Sequence, residues 1–252
     1  MDQNSEIEMA DSLSLEAPQE VDALNHDPDV VKGAPVFPEP MIFDLVRPLG
    51  ARKGEFEANT LALLPLQGRR YNVDWAPEIE YAFANGYAIE LELPMYNGEI
   101  EAYKLALQGT FSFNKEATFI HGWQWIGEYI LDGRILENSF LYLMGYDIGG
   151  GRSIYNIVGP RHNLFDASAE IPNISEWTLL YNFTINQKVN QRTILAIENN
   201  YAYHVGVGHE FRVTPQVHWR VSEFFNFQIG GGYQWMLQQH SPIIATRLIR
   251  DF

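Results

Sequence analysis

Four glutamates lie at alternate positions on two neighbouring segments of the sequence. Glu78 and Glu80 form the first pair, and Glu90 and Glu92 form the second. Carboxylates grouped in this way can bind cations, pair with basic side chains, or act together as general acid and base. Three interpretations follow: the salt-bridged filling of a small barrel, a charged constriction or ligand site in a pore, and a carboxylate pair for glycoside hydrolysis.

A tight turn at Asn85-Gly86 separates the two pairs and determines which glutamates face each other. A three-residue loop with Gly86 in the left-handed conformation would pair Phe83 with Tyr87 and keep all four carboxylates on one face. The facing pairs would then be Glu78 with Glu92 and Glu80 with Glu90. Like charges directly opposite each other are destabilising, so this patch requires cations.

Basic side chains on later strands are the expected partners of this patch. Lys104 is the nearest along the sequence, and Lys188, Arg212 and Arg220 could reach across a narrow barrel. His218 has the same strand parity as the last two. We therefore predict that the lumen or pore is lined by Glu78, Glu80, Glu90, Glu92, Lys104, Arg212, His218 and Arg220.

The elements that must position these residues are strands, because apolar and polar side chains alternate from residue 55 onward. In a strand, successive side chains point to opposite faces, so each run has one apolar and one polar face. Turn sequences such as Asn97-Gly98 and Asp132-Gly133 separate the runs. The predicted strands are 55–66, 72–84, 87–96, 100–113, 119–131, 134–147, 152–161, 177–188, 192–204, 209–221, 224–238 and 243–252. The sixth is ambiguous, because Leu136, Phe140 and Tyr142 compete with Leu141 and Leu143 for the apolar face.

Strand length and aromatic placement favour an outer-membrane barrel over a soluble calyx that binds an apolar ligand. Soluble strands cluster near about 5–6 residues, whereas tilted membrane strands need about 9–11. Aromatic residues stand near strand ends, as interfacial girdles require. They include Trp75, Tyr87, Tyr103, Trp123, Trp177, Trp219 and Tyr233. We predict an all-β, antiparallel up-and-down transmembrane β-barrel of about 12 strands at residues 45–252, with short periplasmic turns and the longest outer loop at 162–176.

Charge is concentrated at the N-terminus of this 252-residue chain, which has a net charge of −15 and no cysteine. Residues 1–44 are acidic and proline-rich, and contain too little apolar surface to offset chain entropy. They are predicted to be a disordered acidic arm, a solvated tail in preference to a docking peptide or lumen plug. The acidic balance argues against nucleic-acid binding, and no apolar run is long enough for a transmembrane helix.

No sequence pattern indicates an enzyme, a metal or a cofactor. The histidines lack the spacing of a metal motif such as HExxH, and there is no GxSxG nucleophile elbow. The run Gly149-Gly150-Gly151 is followed by neither a lysine nor a helical pattern, so we interpret it as a turn. We predict no catalytic residue, no metal site and no cofactor.

The stretch from Arg47 to Phe111 resembles bacterial outer-membrane proteins grouped as transporters of the phenol-degradation MetA pathway. Their recurring feature is a Pro-Glu-hydrophobic-Glu-Tyr strand, a tight turn and a Leu-Glu-Leu-Pro strand. The corresponding segments here are 77–81 and 91–94. The resemblance covers about a quarter of the chain. It implies an outer-membrane β-barrel with a transport role and no catalytic residues.

Two functions remain open at this level. The first is an outer-membrane channel or transporter for small solutes, porin-like, with a polar, Glu-lined lumen. The alternative is a structural barrel with a plugged lumen that binds a protein partner through its N-terminal arm or loops. No signal peptide opens the chain, so we expect a mature form, with an added Met1, in the bacterial outer membrane, where the lipid bilayer surrounds it.

Overall fold

The computed structural model describes residues 35–43, 45–66, 72–114, 116–165, 175–237 and 240–252, and consists mainly of long antiparallel strands. The strands are β1 (Phe56–Pro65), β2 (Asp74–Ala84), β3 (Tyr87–Glu92), β4 (Met95–Tyr96), β5 (Glu99–Ile100), β6 (Ala102–Phe113), β7 (Phe119–Ile130), β8 (Ile135–Gly149), β9 (Arg152–Leu164), β10 (Trp177–Lys188), β11 (Thr193–His204), β12 (Gly208–Arg220), β13 (Phe225–Trp235) and β14 (His240–Asp251). Among the described residues, no helix is both long and apolar enough to cross a membrane.

Twelve of these strands close into one barrel. Each pairs with the next in an up-and-down order, and β1 pairs with both β2 and β14. The short strands β4 and β5 form a small hairpin at the end of β2, between β3 and β6. Closure leaves no unpaired sheet edge, which is the requirement for a sheet that spans a bilayer. The predicted twelve-stranded antiparallel barrel is confirmed, including the positions of all twelve strands.

The outer surface of the barrel is apolar. Large side chains at alternate strand positions point outward and are exposed, as on β2, where Ile79 and Tyr81 are 46% and 42% exposed. Aromatic residues stand at both rims: Tyr87 and Trp219 near the short turns, and Trp75, Tyr103 and Trp177 at the opposite ends of their strands. A soluble calyx would place its apolar face inward, so this arrangement contradicts the calyx alternative.

Both faces of β8 are apolar, which explains its ambiguous sequence pattern. Leu136 and Phe140 point outward, whereas Leu141 and Leu143 are buried. The inward residues belong to an apolar cluster that also contains Phe37 from the N-terminal segment. The inner wall is therefore apolar where the chain packs against it from inside.

Residues 35–43 and 45–51, which together we call the luminal segment, lie within the barrel and form neither helix nor strand. The sequence pattern predicts a disordered arm over residues 1–44. The structure differs for residues 35–43, because Phe37 and Met41 are buried against the inner wall. The sparse apolar residues here have no period of their own and pack only against the barrel, so no local pattern indicates their burial. The rest of the predicted arm, residues 1–34 and 44, lies outside the described residues.

Candidate functional site in the barrel lumen

The four predicted glutamates are all buried on the inward face of β2 and β3. Glu80 and Glu90 are 1% and 0% exposed, and the other two are nearly as inaccessible. The register pairs Glu78 with Glu92 and Glu80 with Glu90, as predicted from the turn.

The observed turn at residues 85–86 differs from the predicted three-residue loop in one respect. Gly86 has a φ of 78°, as expected for a left-handed turn residue, but Ala84 rather than Phe83 pairs with Tyr87. A register shift between Tyr81 and Ala84 restores the alternation instead. Ala82 forms its backbone hydrogen bonds with residues 54 and 55, on the opposite side of β2. A bulge in the strand thus replaces the longer loop.

Lys104 on β6 is the cation nearest to the β3 glutamates, as the sequence predicted. Its Nζ lies 3.1 Å from Glu90 Oε1 and also contacts the carboxylate of Glu92. Oxygens of Glu78, Glu90 and Glu92 approach one another within 4.8 Å, a grouping that could hold a cation. Lys104 supplies a positive charge to two of these three residues.

Arg247 on β14 is the cation nearest to the β2 glutamates. Its Nη2 lies 2.9 Å from Glu78 Oε1 and 3.5 Å from Glu80 Oε1. Its Nε donates to Asn59 Oδ1 at 3.1 Å, and Asn59 Nδ2 in turn donates to Glu80 at 2.6 Å. Because β14 pairs with β1, Arg247 stands only two strands from Glu78.

The luminal segment supplies a third cation. Arg47 contacts the carboxylate of Glu57 on β1, and its Nη1 lies 3.8 Å from Glu80 Oε2. Two further carboxylates, on Glu55 and Asp251, lie 3.5 and 3.7 Å from this guanidinium. The charged cluster therefore combines residues of the wall with a residue of the segment inside it.

The distant cations that the sequence proposed as partners do not reach this cluster. Arg212 donates instead to Gln234 Oε1 at 3.1 Å. Arg220 is half-buried at the C-terminal end of β12. Lys188 is exposed next to a turn. Within the described chain, no hydrogen bond or ion pair joins these three residues to the four glutamates. His218 is buried and faces inward, as its strand parity predicted.

One carboxylate holds the backbone of the luminal segment. Glu198 on β11 is fully buried and accepts hydrogen bonds from the backbone N–H groups of Met41, Ile42 and Phe43 at 2.8, 3.0 and 2.7 Å. Asn200 and Gln216 donate to the same carboxylate at 2.9 and 3.3 Å. Successive backbone N–H groups form a concave anion-binding nest, which compensates this carboxylate for its lost hydration.

Three glycines of the wall make room for side chains of the segment. A Cβ atom at Gly145 would lie 2.6 Å from the Phe37 ring, and one at Gly122 would lie 2.6 Å from Leu49 Cδ2. At Gly230 the corresponding distance to Met41 Cε is 2.8 Å. Burial of each large apolar side chain contributes roughly 1.5–3 kcal/mol, so this packing is a large part of what holds the segment.

Burial also affects Glu39, which lies on the luminal segment and outside the spanning strands. Its removal from water, together with the nearby charge of Glu57, raises the pKa of this carboxyl from 4.5 to about 8. Arg247 and Arg47 oppose the increase only partly. Glu39 consequently retains its proton in the docked segment at neutral pH.

A small cavity remains beside the charged cluster. Its volume is about 80 Å³, and it is lined by Met41, Ile42, Leu61, Ala76, Glu78, Glu92, Lys104 and Arg247. Its wall therefore combines the apolar tip of the luminal segment with two carboxylates and two cations. A cavity of this size holds water molecules but not a large solute.

Sequence reasoning missed several residues that complete this site. They are Glu39, Arg47, Glu57, Glu198 and Arg247. Glu198 and Arg247 occupy inward positions of their strands, so parity alone would have found them. Arg47 and Glu39 carry no such signal, because their segment follows no strand or helix period.

Comparisons with known proteins support the fold. A family model described as HAEPLYID-like matches residues 36–118, about a third of the chain, which includes most of the luminal segment and the glutamate hairpin. No curated protein sequence matches. The MetA-pathway resemblance stays a prediction, since neither the family model nor the solved structures carry that name.

The similar solved structures are outer-membrane channels. The "KdgM porin" has a TM-score of 0.61 at 9% identity, covering 78% of this chain and 99% of the porin. A second structure, "KdgM porin in complex with disordered oligogalacturonate", gives the same TM-score at 8% identity, with the same coverage of both chains. The "COG4313 outer membrane channel from Pseudomonas putida F1" gives 0.60 at 10% identity, covering 81% of this chain and 97% of that one. The fold is thus that of outer-membrane β-barrel channels.

Proposed function

We propose that the protein is a channel for small hydrophilic solutes in the bacterial outer membrane. The observation that carries this proposal is a closed barrel with an apolar outer face and a cluster of charged side chains inside it. The fold of outer-membrane channels supports the same conclusion. The lipid bilayer would contact the outward-facing side chains.

The chemistry of the cluster indicates which solutes would pass. Five buried carboxylates face three cations there, because Glu39 is protonated: Glu57, Glu78, Glu80, Glu90 and Glu92, with Arg47, Lys104 and Arg247. Rings of carboxylates in a pore favour cations over anions. We therefore expect cationic or neutral solutes to pass more readily than anionic ones.

A preference for cationic or neutral solutes would distinguish this chain from one of its structural neighbours. The KdgM porin was solved with oligogalacturonate, which is a polyanion. A polyanion would meet the carboxylates of the cluster here. The likeness in fold therefore supports a channel, and the residues of this chain determine the proposed solute class.

Solute flux into vesicles tests the proposal. Purified protein reconstituted in liposomes is expected to admit small cationic sugars faster than anionic sugars of equal size. The variant Glu92→Gln removes one carboxylate of the cluster and should reduce this preference. A matched control is Glu176→Gln, which removes an exposed carboxylate outside the barrel strands. Vesicles that admit no solute in any variant would contradict the proposed function.

A structural barrel with a plugged lumen is the second candidate. The observation in its favour is the luminal segment itself, which fills part of the interior. In this case the N-terminal arm would bind a protein partner. Capture of a defined partner that requires residues 1–44, together with no flux, would favour this alternative.

A further inference from the structure

The barrel wall binds both the backbone and the side chains of the luminal segment. Glu198 binds three consecutive backbone N–H groups, which any peptide with three such groups could offer in the same conformation. The side chains of Phe37, Met41 and Leu49 fit against the wall at positions that lack a Cβ atom. This combination recognises both the backbone and the side chains of one particular stretch.

The composition of the segment reduces the number of backbone N–H groups that need a hydrogen-bond acceptor on the wall. Pro35, Pro38 and Pro40 have no N–H group, so the segment brings few backbone donors into the lumen. The donors at residues 41–43 are bound by Glu198, and the Arg47 carbonyl accepts from Gln108 Nε2. None of these contacts belongs to the backbone hydrogen bonds that pair the barrel strands. The segment can therefore leave the lumen while all barrel strands remain paired.

The path of the segment also allows it to leave. Its C-terminal end lies at the short turn 85–86, where Gly86 N donates to the Ala51 carbonyl at 2.7 Å. The tip at residues 41–43 lies near the middle of β11 and β13, against Glu198 and Gly230. Phe37 packs near Gly145, back toward the end that holds turn 150–151. The segment is thus a loop that enters and returns at one end of the barrel.

We propose that the luminal segment is a removable plug, that Glu198 is the residue that holds it, and that its withdrawal toward the short-turn end widens the lumen. Contacts within the chain hold the segment in its docked position. The effect on the lumen rests on the proposed channel function. Withdrawal would also remove Arg47 from the cluster, which leaves Glu57 and Glu80 facing the widened lumen.

Thiol labelling tests docking independently of transport. The chain has no cysteine, so Val46→Cys introduces a single thiol at a position that is fully buried in the docked segment. The full-length protein in vesicles is treated with a small polar maleimide. Adding Glu198→Gln to the Val46→Cys protein should raise the labelling rate by about tenfold or more. The reason is that the N–H groups of residues 41–43 lose hydrogen bonds to a charged group. Glu137→Gln is the matched control, since Glu137 pairs with Arg161 and does not contact the segment.

A second pair of variants keeps the test decisive if Glu198→Gln disturbs the barrel. Gly145→Ala places a methyl group against the Phe37 ring and should also accelerate labelling. Gly231→Ala, which meets only ordinary contacts, should not. Val36→Cys provides a reporter that is already exposed in the docked state and should label quickly in every variant.

The outcomes separate the two proposals. Unchanged Val46→Cys labelling in both Glu198→Gln and Gly145→Ala would overturn the plug. Faster labelling accompanied by increased solute flux would support both the plug and the channel. Faster labelling with no flux in any variant would support the removable segment and contradict the channel function.

Discussion

The Glu198 carboxylate on β11 lies 2.8 Å from the backbone nitrogen of Met41, a residue 157 positions earlier in the sequence. This contact joins the N-terminal segment to the middle of the barrel wall. It also compensates a carboxylate that has no basic side chain within salt-bridge distance in the described residues. A charged residue of the wall and a segment without secondary structure are thereby held together.

Shortening Leu49 should loosen the segment. Leu49→Ala removes the side chain that fills the space at Gly122, and buried Leu→Ala changes cost about 2–5 kcal/mol. Labelling of a thiol at position 46 should accelerate accordingly. Val36→Ala shortens an exposed side chain of the same segment and should leave the rate unchanged. Equal labelling rates in the two variants would show that apolar packing does not hold the segment.

Arg47 and Glu57 should be strongly coupled in the free energy of unfolding. Arg47→Met leaves the Glu57 carboxylate buried without its principal cation, and breaking one partner of such a pair costs about 3–5 kcal/mol. Adding Glu57→Gln should recover part of that loss. Urea unfolding of the four proteins in a double-mutant cycle, followed by tryptophan fluorescence, measures the coupling. Strictly additive effects would mean that the two residues do not interact.

The docked state should weaken as pH rises. Burial in the docked segment raises the pKa of Glu39 from its ordinary value of 4.5 to about 8, so docking takes up a proton between these values. Docking is therefore strongest below pH 4.5 and is progressively lost as pH rises to about 8. The charges that face Glu39 are Glu57, Asp251, Arg47 and Arg247.

The labelling rate at position 46, divided by the rate at the exposed position 36, measures this dependence and cancels the ionisation of the thiol. The ratio should rise with pH in the otherwise unaltered protein. Glu39→Gln cannot ionise, so its ratio should stay flat. A ratio that falls with pH would assign the opposite sign to the Glu39 linkage.

The sequence predicted the barrel and half of the charged cluster because both follow a period of two. The inward glutamates of β2 and β3 and Lys104 lie on adjacent strands, so parity and one turn determine their positions. Strand parity places Arg247 on the inward face, but its proximity to Glu78 depends on the pairing of β1 with β14 at closure, which no local pattern shows.

Residues 35–43 of the luminal segment were assigned to the arm for a different physical reason. Phe37 and Met41 are too few and too irregularly spaced to indicate an element of their own. They become core residues only against the apolar inner face of the wall. The double-sided hydrophobicity of β8 was the available sign, because Leu141 and Leu143 need an apolar partner inside the barrel.

The reversal potential of the reconstituted protein under a KCl gradient tests the central claim most directly. A channel lined by the carboxylates of the cluster should give a reversal potential shifted toward that of K⁺. Glu80→Gln and Glu92→Gln should each reduce the shift, and Glu198→Gln should increase the current at the same selectivity. Selectivity for Cl⁻, or no current in any of these proteins, would contradict a carboxylate-lined channel.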